Sequence, residues 1–249
     1  MPRFFINSAA IGYDNTVTLD GEDAIHIARS LRMNVGETLY VCDENGTERL
    51  CRITEILQNK VVLHAESERQ SESEPTVRVT IYQALTKGEK FDWIIQKSVE
   101  LGVYAVVPVL TSRCISRPDE KSDEKKRIRR NAIAKEAAKQ SGRGMVPTVY
   151  PTVSFEKALQ QMKRDDACFF CYEKETRFDL KSYFCENINQ NTRSVSFFVG
   201  PEGGISPEEA ALAESEQIPS VSLGKRILRT ETAPLCVLSG LMLFTDNLK

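Results

Sequence analysis

Apolar and polar positions recur every second residue in short runs over the first quarter of the chain, then shift to longer helical and continuous apolar segments. The short runs are Arg3 to Ile6, Thr16 to Leu19, Thr38 to Cys42, Glu48 to Ile56 and Lys60 to Ala65, each read as a strand. Glu44-Asn45-Gly46 supplies a hairpin turn between two of them. One helix interrupts the series, from Asp20 or Asp23 to Arg32, and carries His26, Arg29 and Arg32. A small β-barrel with one helix is expected over residues 1–70. Ser67 to Pro75 is polar, charged and turn-rich and reads as a linker.

From residue 76 to 249 strands and helices alternate. Val77 to Ala84 predicts a strand; Phe91, Ile94, Ile95, Ser98 and Leu101 mark one helical face; Gly102 stops that helix; Val103 to Leu110 predicts a strand buried on both faces. Lys121 to Ser141 predicts a long helix, basic in its first half and alanine-rich in its second, ended by Gly142. Val146 to Val149, Ser154 to Arg164, Ala167 to Tyr172 and Phe178 to Ile188 continue as strand, helix, strand and helix. The fold class is α/β.

The most informative stretch is Val195 to Phe244. An apolar run ends in Gly200-Pro201-Glu202-Gly203-Gly204, through which no regular element can continue. Ser206, Pro207 and Glu209 then specify a helix start with a capping box. A second short strand, Val221 to Leu223, stops at Gly224, and a polar loop to Thr232 leads into the apolar helix Leu235 to Phe244. Strand, helix and strand at this spacing predict parallel strands, so both loops leave the same sheet edge, where open parallel sheets bind ligands. Read alone, the glycine loop could equally be a tight turn before a capped helix. Neither loop has the spacing of a dinucleotide fingerprint or a phosphate-binding loop.

Composition narrows the field only slightly. The net charge of -2 argues against a generally adhesive nucleic-acid binder, but between Arg113 and Arg143 eleven basic residues face five acidic ones, so a local footprint is available. The plainer meaning of that run is a solvated helix face. No apolar run is long enough for a secretion signal or a membrane span, which points to a soluble cytoplasmic protein. Seven cysteines suit reduced thiols better than a disulfide framework. Cys168 and Cys171 form a C-x-x-C within a predicted buried strand with no second pair, so no metal site is expected.

Gly200-Pro201-Glu202-Gly203-Gly204-x-Ser206-x-x-Glu209, followed by Leu223-Gly224-x-Arg226-Ile227-Leu228-Arg229-Thr230-Glu231-Thr232, resembles the small-subunit rRNA uridine-N3 methyltransferase family, RsmE, of the knotted SPOUT superfamily. Gly88-Glu89-Lys90, Gln96-Lys97, Glu100-Leu101-Gly102-Val103, Gln140-x-Gly142-Arg143 and Val146-Pro147 extend the resemblance over almost the whole chain. Pro234 departs from the family, which usually has a small non-proline residue there; in a first helical turn it sacrifices no needed hydrogen bond. The resemblance implies a PUA-like RNA-binding domain over 1–70, a SPOUT methyltransferase domain with a trefoil knot over 76–249, S-adenosylmethionine as methyl donor, 16S rRNA or the small subunit as partner, and a homodimer. Implied donor-binding residues are Tyr172, Glu173, Gly200, Pro201, Glu202, Gly203, Leu223, Gly224, Ile227, Leu228, Thr230 and Thr232. RNA contacts are expected from Arg3, His26, Arg29, Arg32, Lys90, Lys97 and Arg143.

Methylating N3 of uridine requires loss of a proton, and Arg229 is the first candidate to stabilise the developing anion, with Glu231 orienting it or accepting the proton. Direct displacement needs neither a metal nor a covalent enzyme intermediate. Two other readings stay open from the residues alone: an RNA-binding or ribosome-assembly protein without catalysis, and an enzyme using another nucleotide ligand in the same crevice.

Overall fold

The computed structural model describes residues 1–248. These residues form two compact units, Met1–Glu74 with Ala138–Val146, and Pro75–Ala137 with residues 147–248. The nine-residue segment Ala138–Val146 thus clusters with the first unit and not with the chain on either side of it.

In the first unit, β1 (Arg3–Phe5), β2 (Thr16–Asp20), β3 (Thr38–Cys42), β4 (Thr47–Ile56) and β5 (Lys60–Gln70) make a sheet in the order β1-β3-β4-β5-β2. Only β1 and β3 run parallel. Alternation sends Val17, Leu19, Leu39, Val41, Ile53, Val61 and Leu63 to one buried side, where Phe4, Ala24 and Ile27 complete the core. β5 runs to Gln70, four residues into the segment expected to be linker. Its polar end pairs with Thr47 to Leu50, and ion pairs from Arg69 to Glu48 and from Arg49 to Glu68 hold the charged residues in the sheet.

The expected helix before Arg32 is shorter and wider than a regular α-helix. α1 (Gly21–Ile25) gives way to a five-residue π-turn, His26–Ser30, closed by Leu31 N–H donating to the His26 carbonyl at 2.9 Å. Arg32 follows in the left-handed region at φ 52°.

The second unit is built on a seven-stranded sheet. Along it run β12 (Ser220–Val221), β10 (Ala167–Cys171), β11 (Ser194–Val199), β6 (Arg78–Ala84), β7 (Ala105–Leu110) and β8 (Thr148–Val149), with β9 (Val153–Ser154) also on β7. Every pairing is parallel. The continuous apolar runs in β7 and β11 are buried on both faces, as parallel sheets require. The helices are α2 (Lys90–Glu100), α3 (Glu120–Ser141, of which Ala138–Ser141 belongs to the first unit), α4 (Phe155–Met162), α5 (Leu180–Asn187), α6 (Pro207–Ser215) and α7 (Ala233–Phe244). Because β10 lies between β11 and β12, the glycine loop and the loop after β12 flank a third strand end, Tyr172-Glu173. No helix among the described residues is long and apolar enough to cross a membrane.

The basic run on α3 is not one uniform solvated face. Arg127 pairs with Glu124 and Arg129 with Asp92, while Arg130 is buried with its guanidinium 4.1 Å over the Phe91 ring. Burial lowers the Arg130 pKa, against the pull of Asp123 and Asp92.

Candidate active site

β11 delivers Gly200 to the carboxyl edge of the sheet, and the chain turns back through a Gly204 N–H to Pro201 carbonyl bond of 2.9 Å. Gly204 has φ +70°, which calls for glycine, and a Cβ there would stand 2.6 Å from Glu173 Oε1 and displace that flexible carboxylate. The helix that follows starts as its residues specify: Ser206 and Glu209 form a reciprocal capping box with Pro207 in the first turn. The loop after β7 braces this turn. Arg113 Nη1 donates to the Gly203 carbonyl at 2.9 Å, and Ser112 N–H donates to Glu209 Oε1 at 2.7 Å.

The second loop leaves β12 through Gly224 at φ +105°. It closes on α7 with the Thr232 and Ala233 N–H groups both donating to the Arg229 carbonyl. Between these ends the backbone N–H groups of Lys225 to Leu228 have no partner among the described residues, and all four residues line the cavity described next. The two loops are joined directly: Thr230 Oγ donates to the Gly200 carbonyl at 2.7 Å.

A cavity of about 590 Å³ lies between the three strand ends. Its wall takes in both proposed catalytic residues, Arg229 and Glu231, and every proposed donor-binding residue except Thr232, the exposed residue just before α7. Lys90, expected to contact RNA, opens α2 and also lines the cavity. Its ammonium is 3.1 Å from Glu202 Oε1 and 3.7 Å from Glu231 Oε2. Burial alone would raise the Glu202 pKa, but its own and the Lys87 backbone N–H groups and the Lys90 ammonium outweigh that and hold it below the usual carboxylate range. Glu231 Oε2 is buried and accepts no hydrogen bond.

Of the other proposed RNA contacts, Lys97 belongs to the second unit and Arg3, His26, Arg29, Arg32 and Arg143 to the first. His26, Arg29 and Arg32 are exposed on the first unit, with the His26 ring tilted against Phe4 and Arg32 on the wall of a second, shallower depression with Pro2, Thr38 and Arg52. Lys97 pairs with Glu100 one turn along α2. Arg3 is held by Glu48 and stacks on Tyr40. Arg143 departs furthest from the expectation: it is buried, and its Nε and Nη2 both bond to Glu74. A guanidinium spent on an internal carboxylate has little edge left for phosphate.

Two positioning side chains are not evident from the sequence alone. Arg113 looks like one more member of the basic run. Gln83 is one of several polar residues in β6, and only its complete burial in the structure sets it apart. Cys168 and Cys171 sit three residues apart in β10, and strand residues at that spacing point to opposite faces, so they cannot grip one metal ion together.

Residues 72–242 match the RNA methyltransferase domain family, and residues 19–63 match the RNA methyltransferase PUA domain family. The larger unit with its three-loop cavity is an RNA methyltransferase domain. Over the full chain and 99% of the relative, the sequence is 36% identical to ribosomal RNA small subunit methyltransferase E of Bacillus subtilis. The solved structure of that enzyme from Neisseria gonorrhoeae bound to S-adenosyl methionine superposes with a TM-score of 0.85 at 31% identity, covering 98% of this chain and 97% of the other. A methyltransferase from Legionella pneumophila with bound SAM gives 0.83 at 27% identity, covering 97% and 96%. The chain belongs to the ribosomal RNA small subunit methyltransferase E family.

Proposed function

We propose that this protein transfers the methyl group of S-adenosylmethionine to N3 of a uridine in 16S rRNA. The observation that carries the reading is the cavity itself, lined both by a loop whose backbone N–H groups are unpaired among the described residues and by Glu231, whose buried Oε2 accepts no hydrogen bond and lies 3.7 Å from Lys90. The cavity fits the cofactor. Its volume lies in the range of small-molecule sites, Gly204 and Gly224 shape loops that can approach a ligand closely, and Leu223, Ile227, Leu228 and Ala233 offer apolar surface beside the free N–H groups.

When bound, S-adenosylmethionine supplies a methyl group activated by its sulfonium. The chain's own residues handle the proton and the charge. N3 of uridine holds its proton at neutral pH, and forming the anion costs roughly 3–4 kcal/mol if its pKa lies about two to three units higher. Glu231 accepts that proton in this reading, which is supported by its Oε2 having no hydrogen-bond donor of its own. Arg229 stabilises the charge that develops on the uracil carbonyl edge. Lys90 keeps Glu202 and Glu231 from repelling each other before the base arrives. Positioning by the loops supplies much of the rate.

The first unit serves as the RNA-binding domain over residues 1–70, with His26, Arg29 and Arg32 on its exposed surface. The protein works as a cytoplasmic homodimer, with the exposed Leu243 and Phe244 of α7 as part of the contact; a monomer in sedimentation at micromolar concentration would reject this. The trefoil knot of the SPOUT fold belongs to the same proposal, and an experimental chain trace through residues 172–232 tests it. Calorimetry with S-adenosylmethionine, followed by mass spectrometry of 16S rRNA treated as free RNA and as assembled subunits, tests the activity. Donor binding with 3-methyluridine as product is the expected result. A chain that binds RNA but no donor is instead a non-catalytic assembly protein.

A further inference from the structure

We propose that Gln83, which does not line the cavity, is the positioning residue that holds the two active-site loops in register. The inference rests on the methyltransferase reading of the site. Gln83 is fully buried on β6, in register with Val199 of β11 on one side and Pro108 of β7 on the other. Its Nε2 lies 3.1 Å from Thr230 Oγ, 3.2 Å from the Ala84 carbonyl and 3.5 Å from the Val199 carbonyl.

The direction of this chain of bonds is fixed by chemistry. Thr230 has one hydroxyl proton, and it goes to the Gly200 carbonyl. Its lone pairs can therefore only accept from Gln83, and the same nitrogen faces two carbonyl oxygens. Flipping the amide would set oxygen against those carbonyls and would draw the Thr230 proton away from Gly200. Amide, hydroxyl and carbonyl form a one-way link from the centre of the sheet through the second loop to the first residue of the glycine loop. Thr230 stands between Arg229 and Glu231, so the link sets where both are held.

Packing alone does not account for an amide here. Gln83 Oε1 is buried and has no hydrogen-bond partner, an arrangement that costs stability. An apolar side chain of similar size would fill the space without that cost. What it would lack is the donor to Thr230.

The distinguishing variant is Gln83→Met, which keeps the volume and removes the orphan oxygen together with the donor. Its melting temperature is expected to match or exceed that of the unaltered protein, while the single-turnover methylation rate falls at least tenfold. Hydrogen–deuterium exchange of the free protein should quicken in residues 200–204 and 222–232 and stay unchanged in α2. Thr230→Val breaks the same link from the loop, and adding Gln83→Met to it should cause no further loss. Should Gln83→Met fail to fold, Gln83→Leu, another apolar side chain without the donor, carries the same measurements. Unchanged loop exchange, or losses from the two substitutions that multiply, would overturn the proposal. If the unaltered protein methylates no RNA while the variant's loops do loosen, the functional reading fails and the link stands.

Discussion

Lys90 Nζ stands 3.7 Å from Glu231 Oε2, close enough for charge attraction yet beyond hydrogen-bonding distance, and that buried oxygen accepts no hydrogen bond from any other group. The same ammonium is bonded to Glu202 at 3.1 Å, so one cation ties together a carboxylate from each loop. Lys90→Met would remove the one cation paired with both carboxylates among the described residues. Methylation should fall by about tenfold or more, with a smaller change in melting temperature, because Lys90 is more than one-third exposed and surface pairs contribute little to stability. A methylation rate equal to that of the unaltered protein would remove Lys90 from the site.

Glu202 gives a pH signature. Its folded pKa is depressed, so its contribution to stability is present above the ordinary carboxylate range and is lost as pH falls through the folded value. Glu202→Gln should therefore lower the melting temperature at pH 7, and the difference should close as pH drops from about 5 towards 3. A gap that stays constant down to acid pH would mean the carboxylate is not held by Lys87 and Lys90 as described.

Gly203 and Gly204 look alike in the sequence and should behave differently. Gly204→Ala forces an L-residue into the left-handed region, at roughly 1–2 kcal/mol, and drives its Cβ into the Glu173 carboxylate. Lower donor affinity and a lower melting temperature should appear together. Gly203 has no such backbone demand, and a Cβ there meets Arg113 at an ordinary 3.4 Å. Calorimetry on Gly203→Ala should show near-normal donor affinity; a loss as large as that of Gly204→Ala would mean the ligand itself presses on Gly203.

That contrast marks how far local sequence reaches. The loops are legible because glycine, proline and a capping box dictate backbone shape within a few residues, and Ser206 with Glu209 forms the box they spell. Strand order is a long-range property, so nothing local places β10 between β11 and β12. The same limit applies to charge. Arg143 reads as any surface arginine until Glu74, 69 residues earlier, takes its guanidinium, and Arg130 reads as part of a solvated run until Phe91 lies beneath it. Ser67 to Gln70 looks like linker because its residues are polar, yet cross-strand ion pairs make polar residues serve as strand.

Arg29 and Arg32 are exposed, unlike Arg143, and are the better test of RNA contact on the first unit. If each meets a phosphate, replacing either with alanine should weaken binding across sequences and reduce the slope of log affinity against log salt by about 0.7 to 0.9. Arg143→Ala should mainly lower stability, since it strands Glu74 without its partner. Equal salt slopes for the Arg29 and Arg32 variants and the unaltered protein would move the RNA footprint elsewhere.

Arg229 separates chemistry from binding. It is exposed on the loop, and only its carbonyl is engaged, by Thr232 and Ala233, which leaves the guanidinium available to a uracil carbonyl edge. Arg229→Lys keeps the positive charge but loses the planar two-pronged donor. Donor affinity should stay near normal, because the loop still turns into α7 through the same backbone bonds. The single-turnover rate should fall more than RNA affinity does, as expected for an interaction strongest in the transition state. Raising the pH should restore part of that rate, since a larger fraction of uridine then loses its N3 proton without help. If Arg229 serves only to brace the loop, donor affinity and rate will fall together and alkaline conditions will rescue neither. Donor affinity by calorimetry and single-turnover methylation from about pH 7 to about pH 9.5, a range that climbs into the uridine titration, decide the matter with this one variant.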